Sequence, residues 1–215
     1  MSGHNPFSAS AAAHALRGTQ DPVPASPDAP ASVVVPNTGI ARPGGAFRSP
    51  HGISVTLSEW EFKTAVDVAN ARMATSNAAG LNHASTYART YYKRLQEEIV
   101  GACGEMVFAK ATGRYWSHSV NTFHHVADVG LRFEVRASDR EDGCLIVRDN
   151  DADDRIYVAV FGEPPNLIIA GCILGRDAKR AEWVRDPHGH RPAWFVPQHY
   201  LQPLPSDGCS NCQSH

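Results

Sequence analysis

The chain lacks any run of 18 apolar residues, so no membrane span is expected. It also lacks a dominant charge: 20 Lys and Arg stand against 22 Asp and Glu, a net −2. A protein held on nucleic acid by bulk charge alone is far more basic, so any such contact must come from a local patch. The opening Met1-Ser2-Gly3-His4-Asn5-Pro6 lacks the basic flank and apolar core of a secretory signal. The cysteine count is five, an odd number, and Cys103, Cys144 and Cys172 sit in apolar segments, where a reduced thiol behaves as a small hydrophobe. A reducing, cytoplasmic setting is the expectation. Walker loops, Gly-x-Gly-x-x-Gly and Gly-x-Ser-x-Gly are absent, as are internal repeats, which removes the common phosphate loops and the strand-to-helix serine nucleophile.

What is present divides into three segments. Residues 1–50 carry eight of the 15 prolines and only five charged residues. Such composition supports neither ladder nor helix and offers little apolar surface to offset ordering entropy. The expectation is a disordered arm over residues 1–52, one α+β domain over 53–204, and a flexible tail over 205–215.

The domain opens on a helix signal. Ser58 stands three residues before Glu61, the capping-box spacing. Trp60, Phe62, Ala65, Val66, Ala69 and Met73 follow at helical spacing, and the pattern stops near 77–80. A longer helix is expected over about 84–112, with Tyr87, Tyr91, Leu95, Ile99, Ala102, Met106 and Ala109 as its apolar stripe and Gly113 as its C-cap. Gly101 and Gly104 inside it suggest close approach of a strand. After Gly113 the period changes to two. Residues 131–137 alternate, 144–147 form a short strand, and 156–161 and 167–174 form a hairpin around a Gly-Glu-Pro-Pro-Asn turn. A few helical residues near 178–183 and an edge segment at 195–198 complete the order. This is α+β: a mainly antiparallel or mixed sheet with the N-terminal helices packed on it.

Glu105, Asp128, Glu134 and Arg136 are the candidate chemistry. Glu105 lies beside the helix stripe, Asp128 precedes a Val-Gly turn, and Glu134 and Arg136 share a strand face because side chains two apart point the same way. Hydrolysing a phosphodiester requires charge neutralisation on the phosphate and a hydroxide-like nucleophile. A Mg²⁺ or Mn²⁺ ion held by one to three carboxylates supplies both, and a nearby cation steadies the developing charge.

The pattern Glu105…Asp128-x5-Glu134-x-Arg136, with Gly101-Ala102-Cys103-Gly104-Glu105-Met106-Val107-Phe108-Ala109 on the helix, resembles the PD-(D/E)XK nuclease superfamily. It also resembles small uncharacterised phage and prophage proteins, from Asp128-Val129-Gly130 through Trp194-Phe195-Val196-Pro197-Gln198. The resemblance covers roughly 95–200 and implies a restriction-endonuclease-like core that cleaves DNA. It implies Glu105, Asp128 and Glu134 as metal ligands and Arg136 as their electrostatic partner. It further implies the cytoplasm of a bacterium or phage-infected host and a homodimer as one arrangement for cutting two strands. Arg136 departs from the family's lysine, and arginine cannot serve as a general base. The alternative is therefore a catalytically inactive relative that binds nucleic acid or serves as a phage-encoded interaction or assembly protein.

Arg89 and Lys93 on the long helix and Arg176, Lys179 and Arg180 after the last long strand are the candidate phosphate contacts. The acidic run 149–154 lacks the glycine and terminal glutamate of a calcium loop and reads as a connection. Cys209, Cys212 and His215 amount to half a zinc site and read as tail. His124, His125, His188, His190 and His199 read as loop histidines. On this reading Glu134→Ala removes cleavage and leaves the melt nearly unchanged.

Overall fold

The computed structural model describes residues 35–36, 49–79, 90–120, 127–187, 189 and 191–205. The expectations for most of the arm, the C-terminal tail and its Cys and His residues, Arg89, His124, His125, His188 and His190 lie outside them. The elements are β1 (Val35–Pro36), β2 (Ile53–Thr56), α1 (Glu59–Ala78), α2 (Tyr91–Thr112), β3 (Phe133–Ser138), β4 (Leu145–Arg148), β5 (Ile156–Phe161), β6 (Asn166–Leu174), α3 (Gly175–Ala178), β7 (Val184–Arg185) and β8 (Ala193–Val196). Among the described residues, no helix is long and apolar enough to cross a membrane.

The capping box forms as the spacing predicts. The Ser58 Oγ accepts from the Glu61 N–H, and the Glu61 carboxylate accepts from the Ser58 N–H at 2.7 Å. Thr90 caps α2 in the simpler way, by accepting from the Lys93 N–H. Gly113 ends α2 at φ 63°, a left-handed turn that glycine adopts without strain. The apolar stripes need correction at their outer ends. Trp60 and Tyr91 are exposed, and the buried line of α1 runs through Ala65, Val68, Ala69, Arg72, Met73 and Ser76.

The main sheet has the order β1-β2-β6-β5-β3. β5 and β6 form the expected antiparallel hairpin and β2 extends it antiparallel, while β3 lies parallel to β5. β1 places Val35 opposite Ser54 and Pro36 opposite Ile53, so two residues of the expected arm pair with the sheet edge. Successive side chains of a strand point to opposite faces. On β5, Val158 and Val160 join α1 and α2 in one core, while Tyr157, Ala159 and Phe161 join Leu145, Val147, Trp183 and Val196 in a second. The second core lies under a small antiparallel sheet, β4-β8-β7. Both faces of β5 are thereby buried, which explains its unbroken apolar run. The expected helix layer is present, and the small sheet adds a layer on the other face.

The two helix glycines behave differently. A Cβ at Gly104 would stand 2.6 Å from the Ala137 Cβ on β3, so α2 meets the strand backbone there. A Cβ at Gly101 would meet nothing within 4 Å, so its place is not explained by packing. Gly104→Ala should therefore destabilise the protein by about 1–3 kcal/mol, and Ala137→Gly should recover part of the loss. Gly101→Ala should instead stabilise it by about 0.5–1 kcal/mol. Urea unfolding of the three variants checks this; equal effects at 101 and 104 would refute the close approach.

Candidate functional site

β3 is the edge strand of the main sheet, and its register sets the site. Glu134 stands opposite Tyr157 and Arg136 opposite Ala159, so both leave β3 toward the small-sheet side. Phe133 and Val135 leave toward the helices and are buried. Glu105, on α2, approaches from the helix side. The helix carboxylate and the strand carboxylate thus reach the sheet edge from opposite faces.

Asp128 lies between them. Its Oδ2 accepts the Val135 N–H at 2.8 Å, a β3 backbone donor for which β5 supplies no acceptor. Asp128 interacts electrostatically with Glu105 on one side and Glu134 on the other. Burial, followed by the charge of Glu134, pushes the Asp128 carboxyl up to about 6. Burial raises Glu134 as well, against the pull of Arg136 and Arg155.

Glu105, Glu134 and Asp151 each pair with an arginine. Arg72 reaches from α1 and grips Glu105 with two parallel bonds, Nη1 to Oε1 and Nη2 to Oε2, both 2.8 Å. Trp116 Nε1 adds a third bond, to Oε2 at 2.7 Å. Arg72 Nε also donates to the Ser119 carbonyl at 2.9 Å. Burial opposes the charge of Arg72, but Glu105 holds its guanidinium above its ordinary value. Burial likewise pushes Glu105 up, against Arg72. Arg155, just ahead of β5, donates to Glu134 Oε1 at 2.7 Å. Arg136 lies 3.8 Å from Glu134 Oε2, donates to Asp151 Oδ1 at 3.1 Å, and stands 5.3 Å from the centre of the Tyr157 ring. Asp151 is buried, and its Oδ2 accepts the Arg148 N–H at 2.9 Å.

The four expected residues therefore meet in one network, along with four that the sequence reading missed: Arg72, Trp116, Asp151 and Arg155. Arg72 had left a signal, since an arginine on the buried line of α1 needs a buried acceptor. Asp151 had left none that separates it from Asp149, Asp153 and Asp154.

The expected phosphate contacts divide. Lys179 is consumed within the fold: its Nζ donates to the carbonyls of Asp149 and Asp151 and pairs with Asp153 at 2.7 Å. Arg180 is exposed, and its guanidinium lies over Trp183, 4.7 Å from the centre of the ring. Arg176 is exposed on α3, which packs against the Asp151–Asp153 loop through the Arg176 N–H and the Asp153 carbonyl. Lys93 is exposed in the first turn of α2, three turns from Glu105 at about 1.5 Å per residue.

Among the described residues, no set of three or more His, Cys, Asp or Glu side chains is arranged to hold a metal ion. Both oxygens of Glu105 are committed to Arg72 and Trp116, which does not fit a metal ligand. Asp128 and Glu134 fit better, because they are two buried carboxyls whose charges oppose one another and which a cation would compensate. Compared with known proteins, the sequence matches no family model, no curated protein and no solved structure.

Two outcomes follow from this electrostatic arrangement. Asp128 binds its proton more tightly folded, at about 6, than unfolded, near 3.8, so its contribution to stability falls as pH rises through that interval. Asp128→Asn keeps an acceptor for Val135 and should flatten this fall in urea unfolding measured across the interval. An unchanged pH profile would remove the assignment. Arg72→Met should cost about 3–5 kcal/mol, because it strands a buried carboxylate. Adding Glu105→Gln should recover much of that loss in the same measurement.

Proposed function

We infer that the chain is a metal-dependent phosphodiester hydrolase acting on DNA, built on a restriction-endonuclease-like core. The observation that carries this reading is a charge deficit at the edge of β3. Four carboxylates, Glu105, Asp128, Glu134 and Asp151, meet three guanidiniums, Arg72, Arg136 and Arg155. These acidic groups outnumber the guanidiniums by one, and Asp128 and Glu134 raise one another's affinity for positive charge. A divalent cation would compensate them at neutral pH, with Asp128 and Glu134 as its carboxylates. Mg²⁺ or Mn²⁺ bound there supplies a Lewis acid for the phosphate and lowers the pKa of a bound water.

The chain's own residues have distinct parts in this reading. Glu105 is a positioning residue: bonded to Arg72 and Trp116, it holds the Arg72 charge where it acts on Asp128. Asp128 is fixed by the Val135 N–H. Arg136 is held between Glu134 and Asp151, and as a permanent cation it stabilises phosphate charge without moving a proton. Arg176 and Arg180, exposed beyond the loop that carries Asp151, are available to the flanking backbone phosphates.

The second reading is a catalytically inactive protein of the same architecture that binds nucleic acid. It is favoured by one observation: Arg136 stands where the resembled family has lysine, and Asp151 holds it in an ion pair.

The test is cleavage of plasmid and single-stranded DNA with Mg²⁺ or Mn²⁺, with EDTA as control. Glu134→Ala is a poorer control than the sequence suggests, because Glu134 is buried and its loss removes an ion pair with Arg155. Glu134→Gln keeps an acceptor. It should reduce metal-dependent cleavage by more than the roughly 10–100-fold that loss of an outer partner costs. Cleavage that survives in Glu134→Gln would overturn the assignment. A wild type that binds DNA without cutting it, with activity appearing in Arg136→Lys, would establish the second reading.

A further inference from the structure

A strand at the edge of a sheet carries a row of backbone N–H and C=O groups that no ladder fills. At the β3 edge of the main sheet, Asp128 takes the Val135 N–H. At the opposite edge, the ladder between β2 and β6 decides which groups are left over. The Leu57 N–H donates to the Pro165 carbonyl at 2.9 Å, and this bond continues the register that sets Val55 opposite Leu167 and Thr56 opposite Asn166. Bonded and non-bonded pairs alternate along an antiparallel ladder. Ile53, Val55 and Leu57 therefore bond β6, while Ser54 and Thr56 turn their N–H and C=O groups away from it.

Both outward positions are closed within the chain. Ser54 lies opposite Val35 of β1, in the bonded position of that pair. Pro36 lies opposite Ile53, where no N–H is called for, so its missing donor falls on the outer side of β1. The Thr56 carbonyl accepts from Lys110 Nζ at 3.0 Å, and Lys110 also pairs with Glu61 at 2.7 Å. A very short outer strand, a proline and a lysine are devices by which folded proteins blunt an edge. All of them stand at this one.

What the edge would take without them follows from its symmetry. Ser54 and Thr56 flank Val55 evenly. A second β2 laid antiparallel, Val55 against Val55, sets Ser54 of each copy opposite Thr56 of the other. Every outward N–H then faces an outward C=O. Such a contact uses the same surface on both copies and closes as a dimer. Lys110 leaves the Thr56 carbonyl but keeps Glu61.

We propose that the edge of β2 is a self-association surface for a second copy of the chain, and that β1 is the guard that keeps it shut. Displacing β1 joins two main sheets into one across Ser54 and Thr56. β3 lies at the far end of the strand order, so the candidate site is left intact in that dimer. This surface does not depend on the chemistry assigned to the site.

The experiment is size-exclusion chromatography with light scattering on the full chain over a range of concentrations, beside hydrogen exchange of the segment containing Ser54. Wild type should run as a monomer with the Ser54 amide protected. Val35→Pro removes the N–H that the Ser54 carbonyl accepts. At low concentration it should lose that protection, and as concentration rises its mass should double. Adding Ser54→Pro removes an outward donor without touching the β2–β6 ladder and should restore the monomer. Thr56→Pro should do the same at the other outward position. A Val35→Pro chain that stays monomeric overturns the proposal, as does a dimer that survives both added prolines. Unchanged exchange at Ser54, or a collapsed thermal melt in Val35→Pro, refutes β1 as a guard, and so does a wild type that is already dimeric. None of these results bears on the hydrolase reading.

Discussion

A carboxylate placed in the contact between two helices must be neutralised where it stands, and Glu105 is placed there. Its pair with Arg72 joins α2 to α1 through two parallel bonds, and its bond from Trp116 fixes the segment that leaves α2. Arg72 extends the same knot to the Ser119 carbonyl. Separating any of these would leave a buried charge or a buried donor unpaired, which is costly in a medium of low polarity. The helix pair, the turn after it and the approach to β3 are therefore fixed relative to one another by a single polar centre within an apolar layer.

The edge position of β3 makes the remainder of the site accessible. In the middle of a sheet, groups on opposite faces are separated by backbone on both sides. At an edge, Asp128 can sit in the plane of the sheet and feel Glu105 from one face and Glu134 from the other. The buried Asp151 performs a similar service for Arg136, and Lys179 anchors the loop that carries Asp151. The arrangement concentrates acidic groups and compensates them nearly but not fully, a state that favours uptake of a cation or a proton.

Much of the fold was legible in the sequence because the signals were local. The Ser58–Glu61 box, the change of period after Gly113 and the hairpin from 156 to 174 each depend on residues within a few positions of one another. The second layer was not legible: β4, β7 and β8 are short, and what assembles them is the buried inner face of β5, a distant partner. The same division holds at the site. Glu105, Asp128, Glu134 and Arg136 could be named from order and spacing, but not the faces from which they approach, because that depends on β3 pairing parallel to β5 at the edge. In the sequence Lys179 looks like a phosphate contact, because its acidic and carbonyl neighbours are decided only by how the 149–153 loop folds back. Arg72 leaves a local trace, since it interrupts the buried line of α1.

The bond from the Val135 N–H to Asp128 also bears on how copies of the chain could associate. An open strand edge is a template on which another strand can add, and folded proteins commonly guard against such growth. Here the guard at β3 is a carboxylate that belongs to the candidate site itself. A second chain could extend the sheet at that point only by displacing Asp128, which would dismantle the site in the act of assembly. Pairing through β3 and a formed site are thus mutually exclusive states, so a partner compatible with chemistry must approach another surface.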